Sequence, residues 1–297
     1  MNTGIKAICR ISATLVTAGS VMAAGAFVAP AAQAAAPKAP SIVAKGGFLM
    51  DAASGRTYFG KYADTRLSTG STTKIMTARV VLGVKGLNLD TKVTIDKAYS
   101  DYIVSRGASS ARLIVGDKVS VRQLLYGLML PSGCDAAYAL ADKFGAGKTR
   151  AARVKSFIGK MNATASSLGM KNTHFDSFDG ISNGANYSTP RDLSKLAANT
   201  LKNNHFRAIV KTRSTTQRVT TKNGGYRNMS WTNTNKLLGS YSGAIGVKTG
   251  SGKQAKYCLV FAATRGKRTV VGAVLASTNE VNRTADAKKI MDYGFRL

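Results

Sequence analysis

The stretch GAIGVKTGSGKQAKYCLVFAATRGKRTVVGAVLAST, residues 243–278, holds three apolar runs separated by Gly- and Lys-bearing turns. GAIGVKTG, KYCLVFAATRG and RTVVGAVLAST are rich in Val, Ile and aromatic residues, so they read as three successive β-strands. A helix is predicted over Val281–Tyr293, closed by Gly294 as its cap. Working outward, GGFLMDAASGRTYFGKY (46–62) reads as two further strands around a Ser54-Gly55 turn. The middle of the chain has helical periodicity instead. In VSVRQLLYGLML (119–130) the apolar positions Val121, Leu124, Leu125, Leu128 and Met129 form one stripe, with Ser120 as the N-cap. Other helices fit residues 71–82, 134–144, 150–168 and 190–203, the last opened by Thr189-Pro190. Strands at both ends with helices between predict one sheet assembled from the two ends of the chain, plus a helical insert. No linker, low-complexity tract or internal repeat divides it.

Residues 1–40 begin with Lys6 and Arg10, continue as a small-residue apolar run and reach Ala32-Gln33-Ala34. This is the pattern of a secretory signal peptide, cleaved near Ala34, with residues 35–297 as the mature domain. Ser12, Thr14, Thr17, Ser20 and Pro30 interrupt the run and argue against a membrane-spanning anchor. The 297-residue chain has a formal net charge of +29 at pH 7, of which Lys6 and Arg10 carry only two, so the excess is spread along the mature domain. Such a chain adheres to polyanions. It shows no zinc-finger spacing and no aromatic-and-basic RNA-binding signature, and an exported protein meets anionic wall polymers before nucleic acid. Cys9 leaves with the leader. Cys134 and Cys258 each lie in an apolar, regular segment and are expected as buried free thiols.

LSTGSTTKIMTA (67–78) places Ser71 three residues before Lys74. Ser71 is either an N-cap or a nucleophile, since positions i and i+3 on a helix bring the Lys74 amine within reach of its hydroxyl. The only histidines are His174 and His205. No G-x-S-x-G elbow accompanies either, and the histidines and cysteines have no metal-ligand spacing, so a Ser71 nucleophile needs a lysine as its base and no cofactor or metal is expected. Two later stretches sharpen the choice. LMLPSGCDAAYALAD (128–142) breaks one helix at Pro131-Ser132-Gly133 and starts another at Cys134, leaving Ser132 on a tight turn. GVKTGSG (246–252) puts Lys248 and Thr249 at a strand end, before Gly250 and Gly252, which leave room for a substrate backbone.

Taken in order, S-x-x-K, S-x-C and K-T-G resemble the three motifs of the serine penicillin-recognising enzymes, and most closely those of the low-molecular-mass D-alanyl-D-alanine peptidases. STTKIMTA, VRQLLYGLMLPSG, NTHFDSFDG, NYSTPRDL, GVKTG and KIMDYGF follow that family in sequence order across nearly the whole mature chain. The resemblance implies an α/β (α+β) fold in which a five-stranded antiparallel sheet is flanked by helices and joined to a mostly helical lobe. It also implies an exported enzyme, extracellular or wall-associated; many cell-bound relatives add a C-terminal β domain and an amphipathic anchor, and this chain is expected to lack both, with no membrane anchor after leader cleavage. That enzyme acts on peptidoglycan stem peptides ending in D-Ala-D-Ala and is acylated by β-lactams.

Residue by residue, the resemblance makes Ser71 the nucleophile, Lys74 its base and Ser132 the group that passes a proton to the departing amine. Lys248 and Thr249 receive the substrate's terminal carboxylate. The backbone N–H groups of Ser71 and of Ser251, the residue after K-T-G, form the oxyanion hole. Lys74 accepts a proton only in its neutral form, and which lysine is neutral at rest is left open. Cys134 departs from the family's usual asparagine and is expected to border the cleft. Two other readings stand beside this one. A β-lactamase of the commonest class on this fold needs a glutamate to activate water, and Glu280, the only glutamate in the chain, lies far along the sequence in the closing helix. A wall-polyanion binder with a weak site would remain unlabelled by penicillin.

Overall fold

The structure, a computed structural model, describes residues 37–182 and 184–297; the leader expected over residues 1–34 lies outside the described residues. In chain order the elements are β1 (Gly46–Asp51), β2 (Thr57–Lys61), a 3₁₀ turn (Gly70–Thr73), α1 (Lys74–Leu82), β3 (Lys92–Thr94), α2 (Lys97–Arg106), β4 (Lys118–Ser120), α3 (Val121–Met129) and α4 (Cys134–Phe144). They continue with α5 (Arg150–Ser167), α6 (Pro190–Thr200), α7 (Asn204–Lys211), β5 (Ser214–Thr220), β6 (Tyr226–Thr232), β7 (Ala244–Gly252), β8 (Lys256–Arg265), β9 (Arg268–Ser277) and α8 (Glu280–Arg296).

The three C-terminal apolar runs form β7, β8 and β9, and the sheet order is β2-β1-β9-β8-β7 with every pairing antiparallel. The two ends of the chain therefore meet at β1 and β9, where Leu49 faces Gly272. Because side chains alternate along a strand, β1 serves two layers. Leu49 joins Leu259, Phe261, Val274, Ile290 and Met291 in the core under α8. Phe48 and Gly46 face the other way, where Arg191 of α6 lies over the Phe48 ring and Pro190 sits against Gly46. The larger core fills the helical lobe around Leu124, Leu128, Leu140, Phe157 and Leu193.

α3 starts as the sequence predicts, with Ser120 and Gln123 in a reciprocal capping box. The closing helix differs. It runs on to Arg296 and includes Gly294, which is no cap: a Cβ there would collide with Leu49, so the glycine lets α8 press onto β1. A second sheet of order β3-β4-β5-β6, together with α2 and α7, is absent from the sequence reading. Among the described residues no helix is long and apolar enough to cross a membrane.

Candidate active site

Ser71 does not cap a helix. It sits second in the 3₁₀ turn, and α1 begins at Lys74 after Thr73, whose side chain makes no cap bond. The tight turn keeps Ser71 and Lys74 on one side, as eclipsed i and i+3 residues. Lys74 is fully buried, and its Nζ donates to Ser71 Oγ at 2.9 Å, to the Asp179 carbonyl oxygen at 2.9 Å and to Cys134 Sγ at 3.2 Å. A buried ammonium left unpaired would be severely destabilising, so these three acceptors match the three donors of the group.

Each acceptor is itself fixed. The buried Asp179 carboxylate accepts from Tyr102 Oη at 2.9 Å and from Ile181 N at 2.9 Å, which aims its carbonyl at Lys74. Cys134 opens α4, its N–H bonded to the Ser109 carbonyl at 2.8 Å and its thiol 3.5 Å from Ser109 Oγ. Only 1% of Cys134 is exposed. The thiol therefore turns inward onto Lys74 instead of bordering an open cleft. Burial pushes its pKa up, and the Lys74 charge offsets part of that rise.

Ser132 lies between α3 and α4 at φ +68°, the left-handed region that is strained for a side-chain-bearing residue. Its carbonyl accepts from Ser109 Oγ at 2.6 Å, whereas its own buried hydroxyl has no hydrogen-bond partner among the described residues. A strained backbone presenting an unpaired hydroxyl suits a group reserved for substrate. Gly133 has no room for a side chain, since a Cβ would come within 2.6 Å of both Ala111 Cβ and Asp135 Oδ1. The buried Asp135 carboxylate accepts from Ser110 Oγ and from the N–H groups of Ala111 and Leu113, clamping the facing loop.

β7 forms the remaining wall. Lys248 and Thr249 lie mid-strand and not at its end. The Lys248 side chain is 1% exposed, and its Nζ donates to the Thr249 carbonyl at 3.1 Å. Burial, reinforced by the Lys74 charge, holds the Lys248 ammonium pKa well below the ordinary lysine value. The Thr249 and Thr234 hydroxyls are 2.6 Å apart. Gly250 serves the protein's own packing: a Cβ there would lie 2.7 Å from the Thr69 carbonyl oxygen. A Cβ on Gly70 would lie 3.2 Å from Ser251 N, so β7 and the Ser71 turn come together closely at this point. Ser71 and Ser251 thus bring their backbones to one place.

Sequence reasoning missed Asp179, Ser109, Thr234 and Arg283. Asp179 acts on Lys74 through a carbonyl and Ser109 on Cys134 through a backbone and a hydroxyl contact, which no residue pattern advertises. Arg283 is buried behind β7, with Nη1 3.4 Å from the carbonyl oxygens of both Gly250 and Cys258 and Nη2 3.0 Å from Glu280. Its spacing from Glu280 within one helix was the only available signal. Both histidines stand apart: His174 is exposed beside the Tyr187 ring and His205 is exposed at the start of α7. Cys134 and Cys258 are free and buried. Among the described residues no group of three or more His, Cys, Asp or Glu could hold a metal ion.

A serine bonded by a buried lysine, with a K-T-G strand at the edge of a five-stranded antiparallel sheet against its turn, marks the class of serine acyl-transfer enzymes that work without histidine. Residues 33–279 match the peptidase S11 family, D-alanyl-D-alanine carboxypeptidase. The chain is 64% identical over 289 residues to the D-alanyl-D-alanine carboxypeptidase of Streptomyces sp. strain K15, covering 97% of this chain and 99% of that one. It is 31% identical to DacF of Bacillus subtilis, over 85% of this chain and 62% of that relative. The crystal structure of the Streptomyces K15 DD-transpeptidase superposes with a TM-score of 0.87 at 68% identity, over 88% of this chain and all of that one. A D-alanyl-D-alanine carboxypeptidase structure from Mycobacterium tuberculosis gives a TM-score of 0.77 at 30% identity, over 89% and 95% of the two chains. The chain belongs to the D-alanyl-D-alanine carboxypeptidase family of serine peptidases.

Proposed function

We propose that this protein is a serine D-alanyl-D-alanine carboxypeptidase and transpeptidase acting on peptidoglycan stem peptides through an acyl-enzyme on Ser71. The observation that carries the reading is the 2.9 Å bond between Lys74 Nζ and Ser71 Oγ inside a buried, fully partnered set. With one proton removed from Nζ, the other two donors still satisfy Asp179 and Cys134, and the lone pair faces the Ser71 hydroxyl. Ser71 Oγ attacks the carbonyl between the last two D-alanines while its proton passes to Lys74. The N–H groups of Ser71 and Ser251 hold the developing oxyanion; losing one such donor typically costs about 3 kcal/mol of transition-state stabilisation. The Ser132 hydroxyl hands its proton to the departing D-alanine amine and is reprotonated by Lys74, which thereby returns the proton it took from Ser71. Lys248 and Thr249 hold the terminal carboxylate. Water or an amine on a second peptide then takes the acyl group.

A β-lactam enters by the same attack, but its ring-opened amine stays tethered, so the acyl-enzyme persists. Glu280 engages Arg283 at the start of α8, which gives it no part in activating water and weighs against a β-lactamase. The leader expected over residues 1–34 and the basic mature chain support an enzyme that is exported and held at an anionic wall. Incubation with a D-alanyl-D-alanine peptide, with and without an amine acceptor, tests the reading. Release of D-alanine in both, and a new peptide bond only with the acceptor, is expected; no D-alanine release from folded protein overturns it.

A further inference from the structure

The solvent face of the second sheet carries the clearest unused chemistry. None of the residues of β3 to β6 is acidic. Register places Lys118 opposite both Thr94 and Thr220, Thr220 opposite Tyr226, and Arg218 opposite Asn228, all pointing away from the core formed by Val93, Val119, Val219 and Trp231. Arg218 lies 3.8 Å from the centroid of the Tyr226 ring. The Thr216 and Ser230 hydroxyls bond across the strands at 2.8 Å. At the far end Ser214 and Thr232 face each other and open into a cleft of ≈ 580 Å³, which Arg213 and Lys236 also line and which has no acidic residue.

The two faces of the β5–β6 hairpin differ in their pairing. Arg227, turned by strand alternation to the opposite side, has a carboxylate partner in Asp117 at 3.2 Å. Among the described residues Lys118, Arg213, Arg218 and Lys236 engage no carboxylate. Thr234, two residues beyond Thr232, bonds Thr249 of β7, so the face leads along the chain to the catalytic wall.

We propose that this face and its terminal cleft bind a phosphodiester-linked polyol polymer of the wall, positioning the enzyme while Ser71 works; this rests on the wall-directed function above. Unpaired cations interleaved with hydroxyl and amide groups complement a chain that alternates phosphates with hydroxylated units, and the two guanidinium forks suit phosphate oxygens. Binding releases counterions and weakens with salt.

The test measures binding of the full-length enzyme to poly(glycerol phosphate), polygalacturonate and dextran over a range of salt. One variant combines Lys118→Gln, Arg213→Gln, Arg218→Gln and Lys236→Gln; a control combines Lys85→Gln, Lys143→Gln, Lys267→Gln and Lys289→Gln. The face variant should bind poly(glycerol phosphate) roughly tenfold or more weakly, with a salt slope smaller by about three to four, while the control stays near the parent. Equal losses in both variants, or polygalacturonate bound as tightly as the phosphate polymer by the parent, overturn the proposal. Penicillin labelling of Ser71 should be unchanged in both variants. Failure of the parent to label would count against the catalytic reading and leave the binding result standing.

Discussion

At the scale of single residues the account turns on Lys74 and the atoms around it. Cys134 gives Lys74 Nζ a soft, weak acceptor where an asparagine would add a carbonyl and two N–H donors. The acyl-enzyme and its attacking water should therefore be less firmly positioned, with turnover leaning towards amine acceptors that bring their own binding energy. Cys134→Asn is expected to raise the ratio of hydrolysis to transpeptidation; an unchanged ratio would show that this position does not set the outcome. Because the thiol is buried with a raised pKa, its modification should be slow, yet once complete it should block penicillin labelling. Lys248 adds a pH dependence. Its folded pKa lies well below the unfolded value near 10.4, so between the two the unfolded chain holds more protons and stability rises with pH. Lys248→Met should be stabilised relative to the parent at neutral and lower pH, with the difference shrinking as pH approaches 10. Parallel stability curves over that range would contradict the burial of this charge. Acylation by carboxylate-bearing donors should also fall at a lower pH than an ordinary lysine would dictate, whereas donors lacking the carboxylate should keep their alkaline activity.

At the scale of elements the site is a junction of three backbones. Gly70, Gly180 and Gly250 leave room for the Ser71 turn, the loop before α6 and β7 to approach one another closely. Gly180 has φ +94°, and a Cβ there would collide with the Gly70 carbonyl. Gly224 has φ +84° but open space around it. Gly224→Ala should cost roughly 1 to 3 kcal/mol of backbone strain and leave acylation intact. Gly180→Ala should destabilise by more than that and slow penicillin acylation in the fraction that folds; equal behaviour of the two variants would remove the junction from the account. The motifs carrying Ser71, Ser132 and Lys248 were legible because each joins a reactive side chain to a turn or strand signal. β5 and β6 had a signal too, in Asn223-Gly224 between alternating segments, but their solvent faces are so polar that no apolar run announces them. β3 and β4 span three residues each, too short for any periodicity. α2, KAYSDYIVSR, buries only Tyr99 and shows no stripe. The role of Gly250 was misread because spacing alone does not say whether substrate or protein fills the room beside a glycine.

At the scale of the whole molecule, a sheet closed by both ends of the chain sets β7 beside the turn that opens α1, so Ser71 and Lys74, three residues apart, come close to Lys248, about 175 residues further along the chain. This architecture was legible because strand-type runs cluster at the two ends, whereas the helical lobe's own sheet depends on tertiary pairing. The surplus of positive charge is a separate property of the surface and should govern adhesion without governing chemistry. The most direct test of the central claim is intact-protein and peptide mass spectrometry after incubation with penicillin, comparing the parent with Ser71→Ala. The account predicts one penicilloyl adduct on the peptide containing Ser71 and none on a Ser71→Ala protein of unchanged circular dichroism; an adduct of equal yield on the folded variant, or one on another residue of the parent, would contradict it.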